Sequence, residues 1–363
     1  MPELAEIFRD HIDEYPYALT PEQRHAVRDI CVCRTPAIGR WARYVCPDCG
    51  DERFAWSSCG NRNCPKCGQD KVIKFLARQQ ENLLPVNYFM ITVTLPHELN
   101  AICRKRPAEM FNIFFRAATE AIRELAADPE YLGGEIGLIA TLQTWSRSKD
   151  QHVHIHYLVP GGGISPDGKY WLFPKNRDFL IPAPALSNLV RGKMRDTLKT
   201  LKLYRETPLS AWDKHWASDC RDVGNGMSTF KYLAFYMHRG AISNKDIVAY
   251  DGENVTFKYT ESRSEIVRYR TLPALEFMRL CLRHVLPSGF QKTRYYGLLA
   301  SANRKTVREL RLLILTTRCS RAHEPEDFAL EPKLCQKCGT PMVFRGTYSR
   351  APPSSVINQG DEW

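Results

Sequence analysis

The sequence predicts an α+β protein built around an antiparallel sheet. Short β-branched and aromatic runs occur in pairs with polar turns between them, as hairpins do. Longer segments carry apolar residues at helical spacing. Strand and helix do not alternate strictly, as a doubly wound parallel sheet would require.

Residues 1–30 read as a helical lead-in. Residues 31–70 are rich in cysteine and poor in apolar periodicity, so something other than a core must hold them. A helix over 71–84 follows and ends at Pro85. The run 88–95, bounded by Pro85 and Pro96, predicts a buried strand, and 107–127 predicts a long helix. Segments 135–145 and 152–160 flank a polar turn and predict a hairpin, which continues into a Gly-rich turn and another short strand. Helices are expected over 186–203, 228–239, 274–286 and 303–315, and an Asp-Gly hairpin over 246–260. The tail after Met342 is rich in Pro and Ser, and the sequence shows no internal repeat.

The 363 residues suit roughly two or three domains. Charged residues make up 25% and hydrophobic ones 44%, which excludes wholesale disorder. No apolar run reaches the roughly 20 residues of a membrane span, and the acidic start is unlike a signal peptide. A cytoplasmic protein with no membrane partner is expected. Fifty-one Lys and Arg against 40 Asp and Glu give a net charge of +11, which points to a polyanion, above all nucleic acid.

Thirteen cysteines in a cytosolic chain call for a use other than disulfides. Cys46-Pro-Asp-Cys49-Gly and Cys64-Pro-Lys-Cys67-Gly are two CxxCG knuckles, and together they offer zinc a tetrahedron of thiolates. Cys59 could replace one thiolate, or serve a second ion with Cys31 and Cys33, but reads more simply as a packed thiol. Cys335-Gln-Lys-Cys338-Gly repeats the knuckle. With Cys319 and His323 upstream it would make a further Cys₃His zinc set. Cys103, Cys220 and Cys281 read as apolar filler. Arg62, Lys66 and Lys71, beside the first knuckles, would suit phosphate contacts.

His152, His154 and His156 alternate and so share one strand face, a pattern that favours a metal site over core filling. Gln143, on the strand before, can come beside them across the hairpin. A zinc deaminase would need H-x-E and P-C-x-x-C, and neither motif is present. A zincin would need a second His where Ala101 follows His97-Glu98. Tyr232 and Tyr236 stand one helical turn apart, flanked by Lys231, His238 and Arg239, so a phosphate could approach either phenol.

A His-hydrophobe-His strand followed by a YxxxY helix resembles the HUH superfamily of single-strand DNA nucleases. The segments 33–35, 61–67, 94–100, 142–145, 152–159, 232–244 and 284–299 resemble one branch of it, the two-tyrosine rolling-circle transposases of insertion sequences that carry an N-terminal zinc-binding domain. The branch usually has histidine where this chain has Asn63. The resemblance implies a ferredoxin-like or RRM-like palm with the histidines at the centre of its antiparallel sheet. It implies that Tyr232 and Tyr236 are nucleophiles and that His154 and His156 hold Mg²⁺ or Mn²⁺, with Gln143 a third ligand and His152 a ligand or a support. It also implies single-stranded DNA as substrate and host replication machinery as a partner, with Lys231, Arg239 and Arg294 among the DNA contacts. The domain scheme that follows is 1–84 helical and zinc-binding, 85–300 catalytic, 301–345 basic helix and knuckle, and 346–363 tail. Two other functions fit parts of the pattern: a plasmid rolling-circle initiator or relaxase, and a non-catalytic zinc-finger DNA-binding protein.

Overall fold

The computed structural model describes residues 1–67, 83–176, 178–224, 240–261, 266–300, 306–317 and 332–349, with the single positions 72, 75, 76, 234, 264 and 302. In chain order its strands are β1 (Trp41–Val45), β2 (Glu52–Trp56), β3 (Tyr88–Thr94), β4 (Gly137–Trp145), β5 (Gln151–Pro160), β6 (Gly163–Ile164), β7 (Trp171–Leu172), β8 (Ser218–Asp222), β9 (Ile247–Tyr250), β10 (Asn254–Thr260), β11 (Val267–Pro273), β12 (Thr293–Gly297) and β13 (Val343–Tyr348). The chain forms two compact units. No helix among the described residues is long and apolar enough to cross a membrane.

The first unit comprises Phe75–Met237 and Leu286–Asp327. Its five-stranded sheet has the order β12-β4-β5-β3-β8, and every pairing is antiparallel. Along the chain, β3, helix Pro107–Ala127, β4, β5, helix Ala183–Thr200 and β8 make a βαββαβ sequence. With spatial order β4-β5-β3-β8 this is the ferredoxin-like arrangement, and β12 extends it beyond β4. Both helices pack on one face of the sheet. Phe89, Ile91 and Val93 of β3, Leu138, Ala140 and Leu142 of β4, and Val153, Ile155, Tyr157 and Val159 of β5 meet Phe111, Phe114, Ala118, Ile122, Val190 and Met194. The alternation of each strand therefore sends the intervening residues to the other face. Each fully buried phenylalanine of this core contributes about 2–3 kcal/mol by leaving water. β8 and β12, which the sequence does not announce as strands, hold the two sheet edges. Their charged and polar positions suit edges, which must not recruit further strands.

The second unit comprises Met1–Lys74, His238–Val285 and Phe328–Trp363. Helix Leu4–His11 and helix Pro21–Val32 open it. The second helix starts at a capping box in which Thr20 Oγ1 accepts from Gln23 N–H and Pro21 occupies the first turn. Their apolar faces are small and are completed from far along the chain. Leu4, Ile7, Phe8 and Ile30 pack with Ile247, Val255, Phe257, Phe277 and Met278. Those partners come from the three-stranded sheet β9-β10-β11 and helix Ala274–Leu282. The Asp251-Gly252 turn forms as expected. Asp251 Oδ1 accepts from the backbone of Glu253 and Asn254, and Gly252 adopts φ +95°. Residues 240–261 and 266–285 thus share a compact unit with the opening helices. Residues 343–348, assigned to a separate knuckle module, pair with β1 in a second three-stranded sheet, β13-β1-β2. There Trp41 stacks on Tyr348 at 4.7 Å between ring centroids and meets Phe54 edge-on.

Candidate active site and metal centres

β5 is the central strand of its sheet, and the face its core residues leave free carries the histidines. His154 stands opposite Gln143 on β4 and Thr94 on β3, and His156 opposite Thr141 and Thr92. His154 Nδ1–H donates to the His152 carbonyl at 2.9 Å, which leaves Nε2 with its lone pair. That Nε2 lies 3.1 Å from Gln143 Oε1. Two acceptors so placed in a buried site repel unless a cation serves both or the carboxamide turns its NH₂ to the ring. His156 Nδ1 lies 2.9 Å from Thr92 Oγ1, a contact that orients the ring. On β8, Asp219 faces Thr92 and Arg221 faces Met90, so both lie on the histidine side.

Burial drives His154 well below the ordinary imidazole range, and the neighbouring His156 adds to the shift. His156 is pushed down to about 4 by burial, then by the charges of Arg221 and His152. At neutral pH both rings are unprotonated and available as ligands. With the Gln143 oxygen they form a neutral, mixed nitrogen and oxygen set that fits a divalent cation. His152 is more exposed, and burial lowers it too. The three imidazoles do not converge on one point as the thiols do. The His152 carbonyl, rather than its ring, supports His154. Thr92 was not legible as a partner, because nothing in sequence ties residue 92 to residue 156.

The thiols group differently from the sequence expectation. Cys64 and Cys67 meet Cys33 and Cys59, while Cys46 and Cys49 meet Cys335 and Cys338. Within each group all four sulfurs lie within 4.8 Å of one another. The thiols of the expected Cys46, Cys49, Cys64, Cys67 set therefore fall into two separate groups. Backbone geometry explains the split, because Cys46 and Cys49 sit in the loop joining β1 to β2, and β13, which follows Cys335 and Cys338, pairs with the other edge of β1. Cys59 is a member of the first group and not a packed thiol. Cys33, at the end of helix Pro21–Val32, is the other member, with its sulfur 3.4 Å from that of Cys67. Cys31 stays apart, bonded to the Ala5 carbonyl. Hydrogen bonds from Cys33, Cys59 and Cys64 pull the Cys67 thiol down. Asn63 interacts with Asn61 and is not among the donors.

The expected DNA contacts also divide. Lys66 is paired with Glu3 at 2.8 Å, and Arg62 is partly buried, which lowers its pKa. Arg294 lies on the helix side of the sheet, stacked over Phe115 at 4.0 Å and bonded to Asn112, and so faces away from the histidines. Its sequence neighbours gave no sign of this aromatic seat. Tyr232, Tyr236, Lys231, Arg239, Lys71, Cys319 and His323 lie outside the described residues.

Comparison with known proteins now decides the family. One family, described as "Putative transposase", matches residues 137–306, and a "Transposase zinc-binding domain" matches residues 7–95. The "Putative transposase y4qJ" of Sinorhizobium fredii (strain NBRC 101917 / NGR234) is 34% identical over 327 residues, covering 84% of this chain and 82% of that protein. The chain belongs to this transposase family. The transposase for insertion sequence element IS801 of Pseudomonas savastanoi pv. phaseolicola is 25% identical to it over 299 residues, covering 76% of this chain and 70% of the relative. No solved structure matches the chain. In this transposase the first match spans β4, β5 and the positions of both tyrosines, and the second spans Cys33 to Cys67. The zinc-binding match and the thiol clusters together support structural zinc. Cys335 and Cys338 fall outside both matches.

Proposed function

We propose that this transposase nicks and rejoins single-stranded DNA at element ends through a 5′-phosphotyrosine intermediate. The observation that carries the proposal is the pair of buried, neutral imidazoles of His154 and His156 on the central strand, with the Gln143 oxygen beside them. Mg²⁺ or Mn²⁺ held by those three side chains would supply Lewis-acid polarisation of the scissile phosphate. The His152 carbonyl and Thr92 hydroxyl keep the two rings aimed. Arg221 on the same face offers a cation to the DNA backbone.

The nucleophiles in this proposal are Tyr232 and Tyr236. One phenolic oxygen attacks phosphorus and loses its proton. The bond from phosphorus to the 3′ oxygen breaks, and that oxygen takes up a proton to leave as a free 3′-OH. The new phosphotyrosine keeps a phosphodiester linkage, so a 3′-OH from another strand can reverse the step without ATP. The second tyrosine permits another cleavage while the first end is held. Working on exposed single strands would place the protein in the cytoplasm beside the host replication machinery.

The test is incubation of the full chain with single-stranded element-end DNA and Mg²⁺ or Mn²⁺, followed by a denaturing gel. A band of protein covalently joined to DNA is expected. Tight DNA binding without any such band under either metal would leave a DNA-binding protein and overturn the proposal.

A further inference from the structure

We infer that Cys46, Cys49, Cys335 and Cys338 form a second structural zinc site, which ties together two parts of the chain 286 to 292 residues apart. It goes beyond the nuclease proposal and does not depend on it.

The sulfurs are already gathered. Cys46 lies 3.4 Å from Cys338, Cys49 lies 3.5 Å from Cys335, and Cys338 lies 3.5 Å from Cys49. Four thiol donors at one point suit zinc better than any hard cation. The two knuckles are also built alike. The N–H of Gly50 donates to the Cys46 carbonyl at 3.1 Å, and that of Gly339 donates to the Cys335 carbonyl at 2.8 Å. Cys46 N–H reaches the Asp51 carbonyl, and Cys335 N–H reaches that of Thr340, the equivalent position. Gly50 and Gly339 take the same left-handed turn, at φ +71° and +76°, which only glycine adopts without strain. The third CxxC is constructed differently. Its Cys64 N–H donates to Asn61 and its Cys67 N–H to Cys64. Structurally, the twin of the 46–49 knuckle is 335–338.

Polar contacts lock the twins to each other. Lys337 pairs with Asp51 at 2.8 Å, and Thr340 Oγ1 donates to Asp48 at 2.6 Å. The ladder between β1 and β13 runs directly into the thiols. Apolar burial there is slight, limited to Cys46, Cys335 and Met342 with Tyr44 against them. An ion supplies what so small a core cannot.

The test counts zinc released by an organomercurial into a metallochromic dye. It uses the full chain carrying His154→Ala and His156→Ala, so that only thiol-bound metal is read. Two zinc ions per chain are expected. Cys46→Ser with Cys49→Ser should leave one, and Cys335→Ser with Cys338→Ser should also leave one. The decisive variant combines all four changes and should still hold one. Loss of both ions in it, or a parent that holds only one, would overturn the shared site. Cys338→His guards against variants that merely fail to fold. It keeps four donors, should retain both ions, and should alter the visible absorption of the cobalt-substituted protein. An unchanged cobalt spectrum would show that Cys338 is not a ligand and would overturn the inference.

Discussion

The histidine sheet and the cysteine unit bring donors together by opposite means. In the sheet, His154 and Gln143 are eleven residues apart, joined by one hairpin, and the strand register alone sets them side by side. The large core beneath holds that register whether or not a metal is bound. In the cysteine unit, Cys49 and Cys335 are 286 residues apart and little apolar surface surrounds them. On this reading a metal in the histidine sheet would be an accessory to the fold, whereas zinc among the thiols would be part of it. Changes at the two sites should therefore fail in different ways.

The strongest break is chemical. Tyr232→Phe and Tyr236→Phe should each reduce the covalent DNA adduct, and together they should abolish it. His154→Ala with His156→Ala should lower adduct formation by roughly a thousandfold or more while zinc content and melting temperature stay at parental values. A drop in zinc content or melting temperature alongside activity would erase the contrast with the cysteine unit.

The next break is thermodynamic. Cys64 is 1% exposed and packs in the same core as Leu4, Phe8 and Phe277. Cys64→Ser should release one zinc and cost more than about 5 kcal/mol, because metal-binding energy is folding energy at such a site. Calorimetry should show the loss of a transition. A full-sized transition with the ion gone would mean that the apolar core suffices.

A subtler change tests whether the sheet site needs its supports. Thr92→Val removes the hydroxyl at His156 Nδ1 and nearly preserves shape. Metal affinity, read as the Mn²⁺ concentration for half-maximal cleavage, should weaken by about 10- to 100-fold, and Thr92→Ser should restore it. An unaltered Mn²⁺ requirement would make Thr92 structural only.

The smallest effect is a pH dependence in EDTA-treated protein. His156 titrates at about 4 when folded, against about 6.5 when unfolded. The unfolded chain thus takes up the proton first as pH falls. Stability should be full above about 6.5, decline by on the order of 1–3 kcal/mol down to about pH 4, and then level off for this group. His156→Gln should flatten that part of the curve in urea titrations. An equally steep curve in the variant would assign the loss to other groups.

What the sequence conveyed follows the same division. Period-two alternation gave the histidine strand and its face, and helical spacing gave residues 107–127 with the bounds observed. Both are local patterns. The three CxxCG motifs look interchangeable as text, and only their backbone hydrogen bonds and strand partners tell them apart. The edge strands β8 and β12 were illegible because their polar residues give edges no apolar signature. Arg294 reads as a surface cation until the rings of Phe115 and Phe290 are seen beneath it. Whether the tyrosine helix stands as its spacing predicts lies outside the described residues.

The pairing of β1 with β13 also sets a timetable. Ribosomes add roughly 5–20 residues per second. The 286 residues between Cys49 and Cys335 then take about 15 to 60 s to emerge. Throughout that interval β1 has one open edge, and its knuckle owns half a coordination sphere. By contrast, every strand of the histidine sheet has been made once Gly297 is added. A newly made molecule can thus complete its histidine sheet before its ribbon closes, and an interrupted transcript yields a chain with the first and without the second.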